Sequence, residues 1–225
     1  MDVSAYIEKA ALQSVGADVV EKAGTFLVQI HQALSASTAD TDIAWQYNVP
    51  ELGEGGSCSL FGQLAAEPYD LLQTLGGNKA EVLSLMNAVT RITAFYRQNS
   101  QSDWFGIYQA RQVKEGRALV KLAYFGAPSR AEFPLTPEFA AMSNNSSVGL
   151  SGRGRIIHDV QAYVAGGGEY YTCDPKVNAE ACLPVLASDG RVLGIIDAET
   201  FRQNLYQNDE LALLLAVCVA LSSIL

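Results

Sequence analysis

Histidine, clustered positive charge and long apolar runs are all scarce in this sequence, and each shortage excludes a class of function. There are 2 histidines in 225 residues, too few for a histidine-built metal centre. No metal site and no bound cofactor are therefore expected, and His158, beside Asp159, reads as a hydrogen-bonded loop residue. Basic residues number 15 against 24 acidic ones, a formal charge of −9, and phosphate contacts need the opposite balance. Nucleic acid is thus not an expected partner; the densest basic stretch, Arg153 and Arg155, reads as a solvated loop. The longest uncharged run, 211–225, falls short of the roughly 20 residues that a spanning helix needs, and the first residues lack the basic start and apolar run of a secretory signal. Cys58, Cys173, Cys182 and Cys218 contain no Cys-x-x-Cys pair, which argues against a zinc ribbon and a secreted disulfide scaffold. A cytoplasmic protein without a membrane partner is the expectation.

What is present is a substantial core: 49% of residues are apolar and 17% charged, too apolar a mixture for disorder. Residues 3–34 carry a broad apolar stripe at helical spacing, weakened at Gly16 and Gly24 so that two shorter helices would also fit. Residues 35–79 are less regular and read as a connection, with a short helix starting near Pro68. A helix is expected over 79–97. Strands are expected over 104–110 and 118–124, over 155–160, and on both sides of Ser188-Asp189-Gly190-Arg191. Asn208 reads as the N-cap of a last, buried helix, with Asp209 and Glu210 in its first turn. The outline is α+β: an antiparallel sheet with helices on one face and loops over the other. It divides into an N-terminal helical extension, 1–79, and a domain over 80–225.

The last hairpin permits a stronger deduction. Asp189-Gly190 suits a two-residue turn, which would set Cys182 opposite Asp197 and Glu180 opposite Glu199. Side chains alternate along a strand, so those four, with Leu193 and Ile195, share one face. Ala181, Leu183, Val185, Val192, Gly194, Ile196 and Ala198 form the other, apolar face. Pro184 cannot donate to a ladder and is a place for a bulge. Three carboxylates on one face mean either a solvated surface or the floor of a pocket whose ligand brings positive charge or shares protons.

Residues 80–225 resemble the free methionine-(R)-sulfoxide reductases, enzymes of GAF fold. The likeness lies in Trp104-Phe105-Gly106-Ile107-Tyr108, in Cys173-Asp174 with Glu180 seven residues on, in Leu183-Pro184-Val185, and in the run from Asp189 to Glu199. The resemblance implies that Cys173 attacks the sulfoxide sulfur, that Glu180, Asp197 and Glu199 hold the substrate and supply protons, and that Trp104 and Tyr108 wall the pocket. Glu199 stands where the family usually has Asp. It implies a small amino-acid-like ligand and an external thiol reductant such as thioredoxin or glutathione. Two upstream family cysteines are replaced, near Arg130 and Asn145, leaving Cys58 or a free thiol as the resolving group. Cys182 and Cys218 read as packing residues. Gly166-Gly167-Gly168 reads either as a plain loop or as the hinge of a lid bearing Tyr170, Tyr171 and Cys173. A non-catalytic GAF sensor, homodimeric through its apolar helices, and a structural adaptor with a wet acidic face are the rival readings.

Overall fold

A computed structural model of the chain describes residues 1–35, 42–53, 59–170 and 174–225. In chain order the elements are α1 (Val3–Lys9), α2 (Ala17–Ser35), β1 (Gln46–Tyr47), β2 (Pro50–Leu52), β3 (Ser59–Leu64), β4 (Tyr69–Asp70), α3 (Leu71–Thr74) and α4 (Ala80–Asn99). They continue with β5 (Trp104–Val113), β6 (Gly116–Phe125), β7 (Glu132–Pro134), α5 (Pro137–Ala140), α6 (Asn144–Ser151), β8 (Arg155–Ile157), α7 (Val160–Ala165), β9 (Ala179–Leu186), β10 (Val192–Thr200) and α8 (Asn208–Leu221).

Six strands form one antiparallel sheet in the order β7-β6-β5-β10-β9-β8. Its inner face, Ile107, Leu122, Ala181, Leu183, Val185, Ile196 and Ala198, packs into the main core with α4 and α8. All residues of α8 from Ala212 to Leu221 are buried, because α1, α2 and α4 all pack against it. The C-terminal apolar run is therefore spent inside the chain, while α2 keeps Val28 exposed on its outer face. The N-terminal helices share this core: Tyr6 is fully buried and its hydroxyl donates to the Pro184 carbonyl at 2.8 Å.

Several local expectations shift. The first stripe breaks into two helices between Lys9 and Ala17, where Ala11 and Ser14 take positive φ. The connecting region contains two small ribbons, β1 with β4 and β2 with β3. The strand expected over 155–160 stops at Ile157, because the Asp159 side chain accepts from the Ala162 N–H and starts α7. Gln207, not Asn208, precedes α8. Of the two acids there, Glu210 turns back to accept from the Ser100 hydroxyl and the Gln101 N–H.

The register of β9 on β10 is as deduced, with Cys182 opposite Asp197 and Glu180 opposite Glu199. The route to it differs. The turn is closed by Ala187 N–H donating to the Arg191 carbonyl, one residue longer than a two-residue loop. A register shift between Val192 and Gly194 then absorbs the extra residue. One consequence is that Leu193 packs toward the helical core instead of the acid face. Pro184 stays in register, opposite Ile195.

Candidate active site

The outer face of the sheet carries the chemistry. Trp104, Gly106 and Tyr108 alternate along β5, and Gly106 is what allows the two rings to meet. A Cβ there would lie 2.4 Å from the Trp104 ring and 3.1 Å from that of Tyr108, so the Trp-x-Gly-x-Tyr pattern has a packing cause. Trp104, Tyr108, Phe133, Cys182 and Ile195 form a second apolar cluster beside Glu180 and Asp197, which are 4% and 3% exposed. A cavity of about 20 Å³ is lined by Trp104, Tyr108, Ser129, Phe133, Asn144, Asn145, Glu180, Asp197 and Glu199. It is large enough for one water-sized group. A chamber of about 340 Å³ adjoins it, sharing Trp104, Ser129 and Glu199 and reaching out to Asp174, Lys176 and Phe201.

The acids are held from the helix above them. Ser143 caps α6, and the next two residues reach down to the sheet. Asn144 Nδ2 donates to both oxygens of Glu180 at 3.1 Å, and Asn145 Nδ2 to Asp197 Oδ2 at 2.9 Å. Arg155 donates to Asn144 Oδ1 at 2.5 Å, which fixes the amide so that its NH₂ faces the carboxylate. Arg155 is exposed, as expected from sequence, but stands on β8 and reaches the site through this bond. Tyr170 also hydrogen-bonds to Glu180. Asp197 Oδ1 is buried with no hydrogen-bond partner among the described residues.

A fully buried lysine, Lys121 on β6, lies on this face; its ammonium donates to the Ser129 carbonyl at 2.8 Å and to the Ser129 hydroxyl at 2.7 Å. It stands 3.9 Å from the centroid of the Tyr124 ring, 4.9 Å from Tyr47 and 5.9 Å from Trp104. That cage replaces water by ring faces and two acceptors. The irregular step in β6 between its pairings with Ile107 and Tyr108 turns Lys121 to the same face as Tyr124. Sequence reasoning passed over Lys121, Asn144 and Arg155, and noticed Asn145 only as a replaced cysteine. No periodicity marks a buried lysine before the bulge is known.

Burial, first, and mutual repulsion raise the carboxyls. Asp197 is pushed well up by burial, then by the Glu180 and Glu199 charges, against the Asn145 bond. Glu180 is raised by burial, while the bonds from Tyr170 and Asn144 pull the other way. Glu199, partly buried, rises from 4.5 to about 8 through burial, then Glu180 and Asp174, with Lys121 opposing. A carboxyl raised by folding leaves the folded state favoured below its unfolded pKa; that advantage is lost as pH climbs through the folded value. The unliganded protein is therefore expected to melt several degrees lower at pH 8.5 than at pH 5.5, with most of the loss above pH 4.5 and up to about 8. Thermal melts of Glu199→Gln across that window check this; a slope as steep as wild type would show that Glu199 is not responsible.

Of the residues singled out from sequence, Trp104, Tyr108, Glu180, Asp197 and Glu199 line one cavity. Cys173 lies outside the described residues, as do Tyr171 and Cys58. On either side of 171–173, Tyr170 bonds Glu180 and the Asp174 charge acts on Glu199. Cys182 is buried among the acids, whereas Cys218 sits in the helical core, near Tyr6. His158 is exposed.

An antiparallel sheet with helices on one face and an enclosed polar cavity on the other defines the class: an α+β module of small-molecule-binding form. The family model of the GAF domain matches residues 84–225, and the chain belongs to that family. No curated protein matches it in sequence. Among solved structures it is similar to the free methionine-R-sulfoxide reductase from Neisseria meningitidis in complex with its substrate, at 16% identity and a TM-score of 0.55, over 94% of this chain and 92% of that one. The type II free methionine-R-sulfoxide reductase from Thermoplasma acidophilum is 17% identical, with a TM-score of 0.54, over 64% of this chain and 94% of its own. The GAF domain from the Acinetobacter phosphoenolpyruvate-protein phosphotransferase is 11% identical, with a TM-score of 0.53, over 90% of this chain and 91% of that chain. The likeness is one of fold, common to reductases and to a GAF domain of another kind. Among the described residues no helix is long and apolar enough to cross a membrane.

Proposed function

We propose that the chain reduces free methionine-(R)-sulfoxide, with Cys173 as nucleophile. The observation that carries the reading is the enclosed cluster of Glu180, Asp197 and Glu199 beside Trp104 and Tyr108, with the larger chamber outside it. The inner cavity admits one small polar group of the substrate among the acids, and the rest of the molecule occupies the chamber. Glu199, raised to about 8, still holds its proton near neutral pH, so the cluster can both pair with an ammonium group and donate to a sulfoxide oxygen.

The chemistry balances as an oxygen transfer. The Cys173 thiolate attacks the sulfoxide sulfur, a carboxylic acid protonates the departing oxygen, and methionine leaves with the cysteine as sulfenic acid. A thiol then displaces water to give a disulfide, and a second thiol reduces it, the two electrons coming from an external reductant of the thioredoxin or glutathione class.

Purified protein given free methionine-(R)-sulfoxide and dithiothreitol is expected to release methionine, and Cys173→Ser to release none above the protein-free rate. Equal output from the two would remove Cys173 from the reaction. A second reading, a binding module without turnover, is favoured by Arg130 and Asn145 near the family's other cysteine positions, both engaged in hydrogen bonds. Thermal stabilisation by the sulfoxide with no methionine formed would select it.

A further inference from the structure

We propose that Glu180, Cys182 and Asp197 form a binding site for a thiophilic divalent cation, with zinc as its representative. This goes beyond the reductase reading and does not depend on it; the ion and the sulfoxide would exclude each other from the same acids. One ligand atom from each of the three residues lies within 4.8 Å of the other two. The arrangement follows from the hairpin itself. Cys182 and Asp197 are cross-strand partners, and Glu180 is two residues back on the same face, so a rigid sheet converges two carboxylates and a thiol without any loop.

Two further observations point to a guest. Asp197 Oδ1 is buried with no hydrogen-bond partner among the described residues, an arrangement that costs free energy unless something completes it. The cavity of about 20 Å³ beside the three residues, lined by Glu180 and Asp197, has room for one small guest. The residues around the three are those that a metal site needs to orient its ligands. Asn145 holds the other oxygen of Asp197, Asn144 holds Glu180, and Arg155 fixes Asn144. A thiolate with two carboxylates suits zinc or cobalt and offers magnesium too few oxygens.

The test uses the full chain, reduced and stripped with a chelator, and titrated with Co²⁺ as a spectroscopic probe and Zn²⁺ as competitor. The expected result is one equivalent bound, with a thiolate-to-cobalt charge-transfer band that zinc abolishes. Cys182→Ser is expected to lose the band, Cys218→Ser, in the helical core, to keep it, and Asn145→Ala to keep it with affinity about 10- to 100-fold weaker. No band in the wild-type protein, a band surviving in folded Cys182→Ser, or one lost in folded Cys218→Ser would each overturn the assignment. If Cys182→Ser does not fold, Asn145→Ala decides: unchanged affinity there would overturn it as well. Metal uptake is read without substrate, so its failure and the failure of sulfoxide turnover are separate results.

Discussion

Asp197→Asn is expected to abolish methionine sulfoxide turnover and, at pH 8, to raise the melting temperature of the unliganded protein. The two effects have one cause. Asp197 is 3% exposed, faces Glu180 and Glu199, and has one oxygen without a partner among the described residues. Its charged form is costly to bury and is kept for what it does to a ligand. Asparagine is the same size; its oxygen can still accept from Asn145, and its NH₂ can donate toward the crowded carboxylates. The empty fold gains a few degrees. The variant can neither release a proton nor carry a charge at that position, and kcat/KM falls by about 10²-fold or more. Unchanged turnover would remove Asp197 from the chemistry, and a lower melting temperature at pH 8 would contradict the account of its burial.

Gly194→Ala carries the largest expected loss of stability. A Cβ at Gly194 would lie 2.0 Å from the Tyr108 carbonyl oxygen and 3.1 Å from the Gln109 Cα. Both are backbone atoms of β5, the strand that β10 pairs with, so no side chain can rotate away. The central strands must separate. Overpacking of this kind costs about 3 kcal/mol or more, and the melting temperature should fall by roughly 6–12 °C. Tyr108 would move with its carbonyl, so the cavity wall suffers too. Gly24→Ala is the matched control: a Cβ there meets nothing within 4 Å, and inside α2 it should stabilise by about 0.5–1 kcal/mol. Denaturant curves of the two variants check both signs; equal stabilities would show that the β5–β10 approach tolerates a side chain.

The acid face was legible because its cause is local. Strand alternation and one turn signal place Glu180, Cys182, Asp197 and Glu199 together, and the pairing found is the pairing deduced. The α+β outline was legible from periodicity for the same reason. What the sequence hid depends on distant packing. The ribbons at 46–70 are short strands without a full apolar alternation. Lys121 turns inward only because β6 is irregular beside it, and its solvent substitutes come from β1, β5, β6 and Ser129. Asn144 and Asn145 were part of a polar stretch until Ser143 capped them into a helix pointing at the sheet. Arg155 could be read as solvated because only its tip is engaged.

The offset at Leu193 gives the β9–β10 hairpin two independent halves. Its outer tip can be a residue longer or shorter while the inner half keeps its phase, provided that the irregular step is gained or lost together with the tip residue. A tip shortened so that the step at Leu193 flattened out would instead act as a frame error, rotating the carboxylates toward the helices and bringing Ile196 and Ala198 out to the solvent side.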